Sequence, residues 1–276
     1  MSPGKLVDLD RAAELVPDGC SLALGGLSLN TAPMAFCSAL VRAGVRDLEL
    51  ISVVSGMSTD WLIGGGCVAR LLMGLVSFEG FGLAPLFRRA AERGAIEVEE
   101  YSEHTMICML QAAAAGVPFM PTRAGLGTDT IGRHPERTRE VLDERSGQHY
   151  VACAALRPDV AVIHAHEADV HGNVRMLPKM VWFDTELVKA AARVIVTVER
   201  IVETASFRAA PERSAFPAFA VDHVVHAPRG AWPTGCWPEY EYDGAFYAAY
   251  QAAARDPQAF AELFAEHVGP LRWSGS

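Results

Sequence analysis

The 276-residue sequence predicts an α/β fold, an open and mostly parallel sheet with helices on both faces. Three observations carry that reading. Short Val/Ile/Leu runs recur along the chain, as in Leu48-Glu49-Leu50-Ile51-Ser52-Val53-Val54 and Val194-Ile195-Val196-Thr197-Val198, and near-continuous apolar runs suit strands buried on both faces. Between them lie alanine-rich segments with apolar residues at helical spacing. Most runs end in a polar or glycine-containing turn, so strand and helix alternate and the strands pair in parallel.

Taken in order, residues 9 to 16 read as a short helix and the strand from Ser21 follows. Residues 33 to 42 carry Met34, Cys37, Leu40 and Val41 at helical spacing. Residues 47 to 54 are a second strand, closed by Ser55-Gly56. Residues 61 to 67, with three consecutive glycines, read as a short helix or a loop, and 70 to 76 as a third strand. Residues 83 to 93 are amphipathic, with Leu86, Phe87 and Ala90 against Arg88, Arg89, Glu92 and Arg93, and Gly94 suits the helix end. Residues 96 to 101 form a fourth strand. Ser102 can cap the following helix, which Gly116 and Pro118 stop. Residues 118 to 129, with two prolines and two glycines, read as a loop, and residues 131 to 148 as a charged, exposed stretch. Residues 150 to 155 and 160 to 164 are short strands, 166 to 173 a polar turn, 184 to 193 a helix, and 194 to 198 and 221 to 226 strands. Residues 243 to 268 are helical, with Phe246, Tyr250, Phe260 and Phe264 free to pack. One domain over residues 1–276 is expected, with this C-terminal helical segment. Ligands of such sheets bind at the carboxyl ends of strands, and the loops at Gly25, Ser55, Ser77 and Ser102 would share that edge.

Composition narrows the function. The net charge is −9, from 33 acidic and 24 basic residues, and no basic run or stripe marks a nucleic-acid partner. The six cysteines (Cys20, Cys37, Cys67, Cys108, Cys153, Cys236) form no C-x-x-C pair, which removes the usual zinc and iron–sulfur spacings and leaves them as small hydrophobes. The N-terminus lacks a signal-peptide pattern. No stretch reaches the roughly 18 apolar residues that span a bilayer. A cytoplasmic protein with reduced thiols and no membrane partner is expected.

The stretch from Ser21 to Met34 is the strongest local signal. An apolar run ends in Gly25-Gly26, small and polar residues follow, and Pro33 can open a helix. Glycine admits a ligand close to the backbone, and N–H groups beside a helix start suit an anion or a developing oxyanion. Neither G-x-G-x-x-G nor G-K-[ST] is present, so the loop is neither a dinucleotide fingerprint nor a Walker loop. Glu103, between Ser102 and His104 at a helix start, is either an acid that stabilises the helix terminus or an ionised base or nucleophile. Arg123, twenty positions later, needs a carboxylate or phosphate partner if buried; a structural ion pair or an exposed head group is the alternative. His164, His166, Glu167, Asp169 and His171 have some ligand character, but a polar turn accounts for them and no metal site is assigned. Glu79 in Ser77-Phe78-Glu79-Gly80 could be a nucleophile or a solvated loop acid. No G-x-S-x-G elbow is present.

Together these pieces resemble the α subunits of family I CoA transferases, in particular the glutaconate CoA-transferase-like branch. The residues that carry the resemblance run in order over about positions 5 to 235: Gly25-Gly26 with Pro33-Met34; Glu100-Tyr101-Ser102-Glu103-His104-Thr105-Met106; Gly116 through Asp129; Ala155-Leu156-Arg157-Pro158-Asp159 leading to His171-Gly172-Asn173; and Pro228-x-Gly230-Ala231-x-Pro233. The resemblance implies a Rossmann-type open α/β fold, a homologous β-subunit partner in an α2β2 heterotetramer, and a CoA thioester as substrate with no permanently bound cofactor. It implies that a glutamate attacks the thioester, that a glutamyl-CoA intermediate forms, and that CoA passes to a second carboxylic acid. This chain has no Ser-Glu-Asn-Gly nucleophile motif, so that glutamate is expected on the partner. The oxyanion role falls on Gly25 and Gly26, and Ser28, Asn30, Gly125 and Gly127 are expected to contact the CoA thioester. The chain is also similar to the A-subunits of the steroid-ring-cleaving CoA hydrolases, whose glutamate and arginine match Glu103 and Arg123, although Leu27-Ser28-Leu29-Asn30 departs from that group's first loop. An acyl-CoA-binding subunit without turnover is a third possibility.

Overall fold

The computed structural model describes residues 4–273. Its strands are β1 (Leu6–Val7), β2 (Ser21–Leu24), β3 (Leu48–Ser55), β4 (Val68–Val76), β5 (Glu97–Glu100), β6 (Phe119–Thr122), β7 (Thr138–Asp143), β8 (Gln148–Ala154), β9 (Val160–Ala168), β10 (Val174–Arg175), β11 (Arg193–Ile201) and β12 (His223–His226). Its helices are α1 (Leu9–Ala13), α2 (Met34–Ala43), α3 (Met57–Gly64), α4 (Pro85–Glu92), α5 (Glu103–Ala115), α6 (Asp184–Ala190), α7 (Thr204–Ala209), α8 (Gly244–Ala253) and α9 (Pro257–His267). Eight strands form one parallel sheet in the order β1-β12-β11-β9-β2-β3-β4-β5, with β10 antiparallel on β9. The chain winds outward from β2 through β3, β4 and β5 on one side and from β9 through β11 and β12 on the other, so the winding reverses between β2 and β9.

Alternation along each strand divides the core between two faces. Leu22, Leu24, Leu48, Leu50 and Leu71 point into a cluster with Phe36, Leu40, Trp61, Leu62 and Phe264. Ala23, Ile51, Val53 and Leu72 point the other way, onto Met106, Met109, Leu110 and Leu187 of α5 and α6. Helices therefore cover both faces, as the alternating pattern predicts. Helix α5 starts and stops where its sequence says: Ser102 accepts the Thr105 N–H in a capping box, and Gly116 takes the left-handed conformation at the C-cap. No described helix is long and apolar enough to cross a membrane.

The structure corrects the sequence reading between β5 and β9. Residues 118–129 are not all loop, because Phe119–Thr122 forms β6, and residues 131–148 are not simply an exposed excursion. Strands β6, β8 and β7 make a second, antiparallel sheet. Arg137, just before β7, docks it on the main sheet: its guanidinium lies 3.4 Å from Glu49 on β3 and 3.8 Å from the buried Glu99 on β5. Glu99 also pairs with Arg70 and accepts the Tyr101 hydroxyl at 2.6 Å. The polar turn also begins later than expected, because β9 continues through His164 and His166 to Ala168; only Asp169 to Asn173 turns, with the Asp169 carboxylate accepting N–H groups of His171 and Asn173.

The C-terminal segment is two helices broken at Asp256-Pro257, and Phe246, Tyr250, Phe260 and Phe264 are all buried. Asp60 anchors this end. Its Oδ1 accepts the Leu86 and Phe87 N–H groups at the start of α4, and its Oδ2 accepts the Tyr250 hydroxyl at 3.0 Å. Burial pushes its carboxyl up to about 7 despite these donors and the nearby Arg89. The folded value lies above the unfolded one, so the native state holds an extra proton between them. Stability then falls as pH rises from about 4 through 7, by roughly 4 kcal/mol in all. Asp60→Asn keeps the shape and an acceptor for both amides. We expect thermal melts of Asp60→Asn to lose this pH slope and to exceed the wild type at pH 8, whereas Asp60→Ala should melt lower at every pH.

Candidate active site

The reversal between β2 and β9 opens a crevice at the carboxyl edge of the sheet, the place where open α/β sheets take ligands. The loop from Gly25 to Pro33 fills its lip, and its shape explains its glycines. A side chain on Gly25 would collide with Asp184 Oδ1 and lie 2.7 Å from Ile163 Cγ2. Gly26 has φ +83°, and a Cβ there would meet backbone atoms of Asn30, Thr31 and Ala32 at 2.6 Å. Ser28 and Thr31 are also left-handed, at φ +49° and +50°, which costs each on the order of 1 kcal/mol. Both are buried, and neither hydroxyl has a partner among the described residues.

The amides of the two glycines are already committed. Gly25 donates to Val162 O at 2.9 Å, and Gly26 to the fully buried Asp184 carboxylate at 3.1 Å. Instead of pointing at open space, these two amides fix the loop to β9 and α6. Leu27, Ser28, Asn30, Thr31 and Ala32 also donate within the chain. At the tip, the Leu29 N–H and the half-buried Asn30 side-chain amide donate to no described residue.

A strap of chain from Arg229 to Tyr242 clamps the loop from outside. Thr31 N–H donates to Gly235 O, Gly235 N–H to Leu29 O, Ala32 N–H to Thr234 Oγ1, and Ala35 N–H to Gly230 O. The strap is itself tied to the sheet by Glu199, near the end of β11. Glu199 Oε2 accepts the Arg229 N–H at 2.7 Å, and Oε1 accepts the Tyr240 hydroxyl and His164 Nε2–H. Burial opposes the charge on Glu199, but the hydrogen bonds from His164, Tyr240 and Arg229 outweigh it and hold the carboxyl at about 2. Burial keeps His164 below the usual histidine range against the pull of Glu199, so the pair is a neutral imidazole donating to a carboxylate. In the sequence, Pro228, Gly230, Ala231 and Pro233 stand out only as the last motif of the family resemblance, and nothing ties Glu199 or Asp184 to the loop.

Glu103 and Arg123 come to the same edge. Gly74 on β4 leaves room for Glu103, whose N and Cα lie 3.1 and 3.2 Å from where a Cβ would stand, on the side where Val53 O of β3 is also packed. The next residue of β3, Val54, accepts the Ser28 N–H. His104 Nε2 meets Thr122 Oγ1 at 3.1 Å, so the start of α5 and the end of β6 are adjacent. Both Glu103 and Arg123 are exposed and neither makes an ion pair among the described residues, so the buried partner considered for Arg123 is not required. Gly125 and Gly127 are left-handed at φ +87° and +75°, and their N–H groups donate to no described residue. Glu79 is exposed, in a tight turn at φ +52°.

The cysteines are free and buried, and burial pushes Cys67, Cys153 and Cys236 up to about 12, which keeps them thiols. His164, Glu199 and Cys236 bring one potential metal ligand each within 4.8 Å of one another. The polar atoms of His164 and Glu199 are committed to the hydrogen bonds above and to Thr197. The arrangement reads as a fastening for the strap.

A loop fastened at a sheet switch point, with two tip donors that no described residue accepts and an acid and an arginine at the same edge, is the candidate site. Residues 7–227 match the family model described as coenzyme A transferase. The chain belongs to that family of enzymes. It is 34% identical over 269 residues to the A-subunit of 3-oxoadipate CoA-transferase from Pseudomonas knackmussii, covering 96% of this chain and 93% of that one. It is 33% identical over 272 residues to the cholesterol ring-cleaving hydrolase IpdA subunit of Rhodococcus jostii, covering 96% and 92%. An uncharacterized Archaeoglobus fulgidus protein is 34% identical over 94% of this chain, which spans 58% of that protein. Among solved structures, glutaconate coenzyme A-transferase of Acidaminococcus fermentans superposes with a TM-score of 0.90 at 30% identity, covering 96% and 88%. A variant of the decarboxylase AibA/AibB superposes with a TM-score of 0.86 at 36% identity, covering 96% and 98%.

Proposed function

We propose that this chain is the α subunit of an acyl-CoA transferase that works in a complex with a homologous β subunit. The observation that carries the reading is the clamped loop at the switch point, whose tip presents the Leu29 N–H and the Asn30 side-chain amide while every other backbone amide from Gly25 to Ala32 is committed. A glutamate of the β subunit attacks the thioester carbon. Negative charge builds on the carbonyl oxygen, and the two tip donors stabilise it; a positioned donor of this kind is worth about 2.7–4 kcal/mol. Collapse of the intermediate expels CoA thiolate and leaves an acyl-glutamyl anhydride. The thiolate then attacks the glutamyl carbonyl, which releases the first acid and leaves a glutamyl-CoA thioester. The acceptor carboxylate runs the same two steps in reverse. Ser28, Gly125 and Gly127 lie in the two loops that would meet the CoA arm.

A second reading is supported by Glu103, an acid at the same edge with no ion pair among the described residues, and by the hydrolase named among the relatives. There Glu103 would act as general base on a cyclic diketone CoA ester. The decarboxylase named among the solved structures marks a third chemistry on this scaffold. One experiment separates them. The co-expressed α–β complex is given an acyl-CoA and a second carboxylic acid, and CoA exchange, free CoA and carbon dioxide are each measured. Exchange is expected, and borohydride should trap a glutamyl-CoA thioester on the β subunit. Glu103→Gln should cost less than about tenfold. A loss of 10²–10⁴-fold, the usual worth of a general base, together with release of free CoA, would overturn the transferase reading in favour of hydrolysis.

A further inference from the structure

The two edges of the second sheet differ. Strands β6 and β7 flank β8 and both run antiparallel to it. On the β6 side Ala155 N–H donates to Pro118 O, so Met120 and Thr122 bond to β8 in their turn. Pro121 then falls in the outward-facing set and has no N–H to offer, which blunts that edge. On the β7 side Ala154 N–H donates to Arg137 O, so Arg139, Val141 and Asp143 bond to β8, and Glu140 and Leu142 turn their backbone groups outward. No described residue meets those outward N–H and C=O groups. The Thr138 N–H, which also faces out, is taken by His134 O at 2.8 Å. Leu142 is 53% exposed on this open edge. Free ladder groups beside an exposed apolar residue invite another strand.

The charges along β7 decide which strand that is. Arg139, Val141 and Asp143 share one face, because side chains alternate along a strand. Arg139 is exposed, and its guanidinium has no ion pair or hydrogen bond among the described residues. Asp143 cannot serve it within the chain, since four residues of strand separate them by about 13 Å. The Asp143 carboxylate accepts the Ser146 hydroxyl and the Arg145 N–H across the turn, and these donors hold it below the usual carboxylate range. It therefore stays ionised and keeps lone pairs for a further donor. The face reads positive, apolar, negative at even spacing.

This pattern complements itself when reversed. With a two-fold axis through Val141, Arg139 of each copy stands opposite Asp143 of the other, and Val141 meets Val141 between them. Glu140 of each copy stands opposite Leu142 of the other, and their outward N–H and C=O groups complete the ladder. Glu140 already has His149 of its own chain at 2.5 Å, so it brings no unpaired charge. Moving the axis by one residue sets Glu140 against Glu140 in one direction. In the other it sets Glu140 against Glu144 and Arg139 against Arg145. Like charges directly opposite destabilise a strand pair, so one register is favoured. We propose that two copies of this chain associate through β7, paired antiparallel about Val141, so that their two small sheets continue as one. This contact is independent of the reaction at the glycine loop.

The test counts copies per particle by sedimentation equilibrium of the full chain, in wild type, Arg139→Asp, Asp143→Arg and an equimolar mixture of the two variants. Wild type is expected to hold two copies. Each variant alone places like charges at both ends of the pairing and should weaken association at least tenfold. In the mixture each end again joins an acid to a base, so two copies per particle should return. Damage to the turn by Asp143→Arg cannot produce that rescue. Leu142→Pro removes an outward N–H without touching the ladder to β8 and should give single copies. One copy in wild type, two copies in both single variants, or variants that separate and do not recombine on mixing would each overturn the proposal. Single variants that instead release a co-expressed β subunit would assign this edge to that subunit and overturn self-pairing.

Discussion

Glu199→Ala is expected to cost about 3–5 kcal/mol of stability, a fall in melting temperature of roughly 10 °C, and to abolish turnover in the fraction that still folds. The carboxylate is 8% exposed and accepts three donors from three parts of the chain: His164 on β9, and Tyr240 and the Arg229 N–H at the two ends of the strap. Alanine leaves all three without this partner, and the fully buried His164 suffers most, because an orphaned buried donor costs its full desolvation. The strap then loses its hold on β11, and with it the hydrogen bonds that keep Leu29, Thr31 and Ala32 in place. Graded variants separate the loop from the fold. Glu199→Gln keeps the volume and one acceptor and should lose about 1–3 kcal/mol. Tyr240→Phe removes one donor to Glu199 and the acceptor of the Ala231 N–H, and should lose less stability than activity. Denaturant midpoints and kcat, measured on the same preparations, check the order.

The same carboxylate predicts a pH dependence. Its folded value of about 2 lies below the ordinary 4.5. The stabilisation is fully present above pH ~4.5 and drains away as pH falls toward 2. Asp60 works in the opposite sense at higher pH. The two opposing slopes cancel where the windows meet, so the wild type should be most stable at pH ~4, and Glu199→Gln should flatten only the acid side.

The parallel sheet was legible because its strands are buried on both faces. Leu48–Ser55 and Arg193–Ile201 show this as near-continuous apolar runs. The second sheet was not legible, because β6 contains Pro121, β7 reads Thr-Arg-Glu-Val-Leu-Asp, and both look like loop by local composition. What makes them strands is pairing on β8 and the docking of Arg137 onto Glu49 and Glu99, which lie 88 and 38 residues earlier in the sequence. The site divides the same way. Gly25, Gly26 and Pro33 announced a shaped loop, but not where its amides point. That depends on Val162, 137 positions after Gly25, and on Asp184, 158 after Gly26. A local pattern can specify a turn; it cannot specify which distant acceptor completes it. Two residues bent into left-handed φ with unpartnered hydroxyls, Ser28 and Thr31, are where local rules fail, and strain of this kind gathers at functional loops.

Gly25→Ala is expected to lower turnover about 10²-fold or more while leaving the complex folded. Gly25 is not left-handed, so alanine brings no backbone strain, and the effect is purely steric. The new Cβ would collide with Asp184 Oδ1 and sit 2.7 Å from Ile163 Cγ2. Ile163 is fully buried in β9 and cannot yield. Asp184 must rotate, and in doing so it releases the Gly26 N–H and the Trp182 N–H together. The loop tip shifts, and a displacement near 1 Å is enough for a loss on the order of 10²-fold when a donor must meet a developing charge. If the tip donors act on the transition state as proposed, kcat should fall and the KM for the thioester should change little. Asn30→Ala removes a tip donor without touching Asp184, so it should reproduce the loss in kcat and leave thermal stability within about 0.5 kcal/mol of wild type. Equal kcat in wild type, Gly25→Ala and Asn30→Ala would mean that the negative charge is held elsewhere, on the β subunit, and that this loop only closes the crevice.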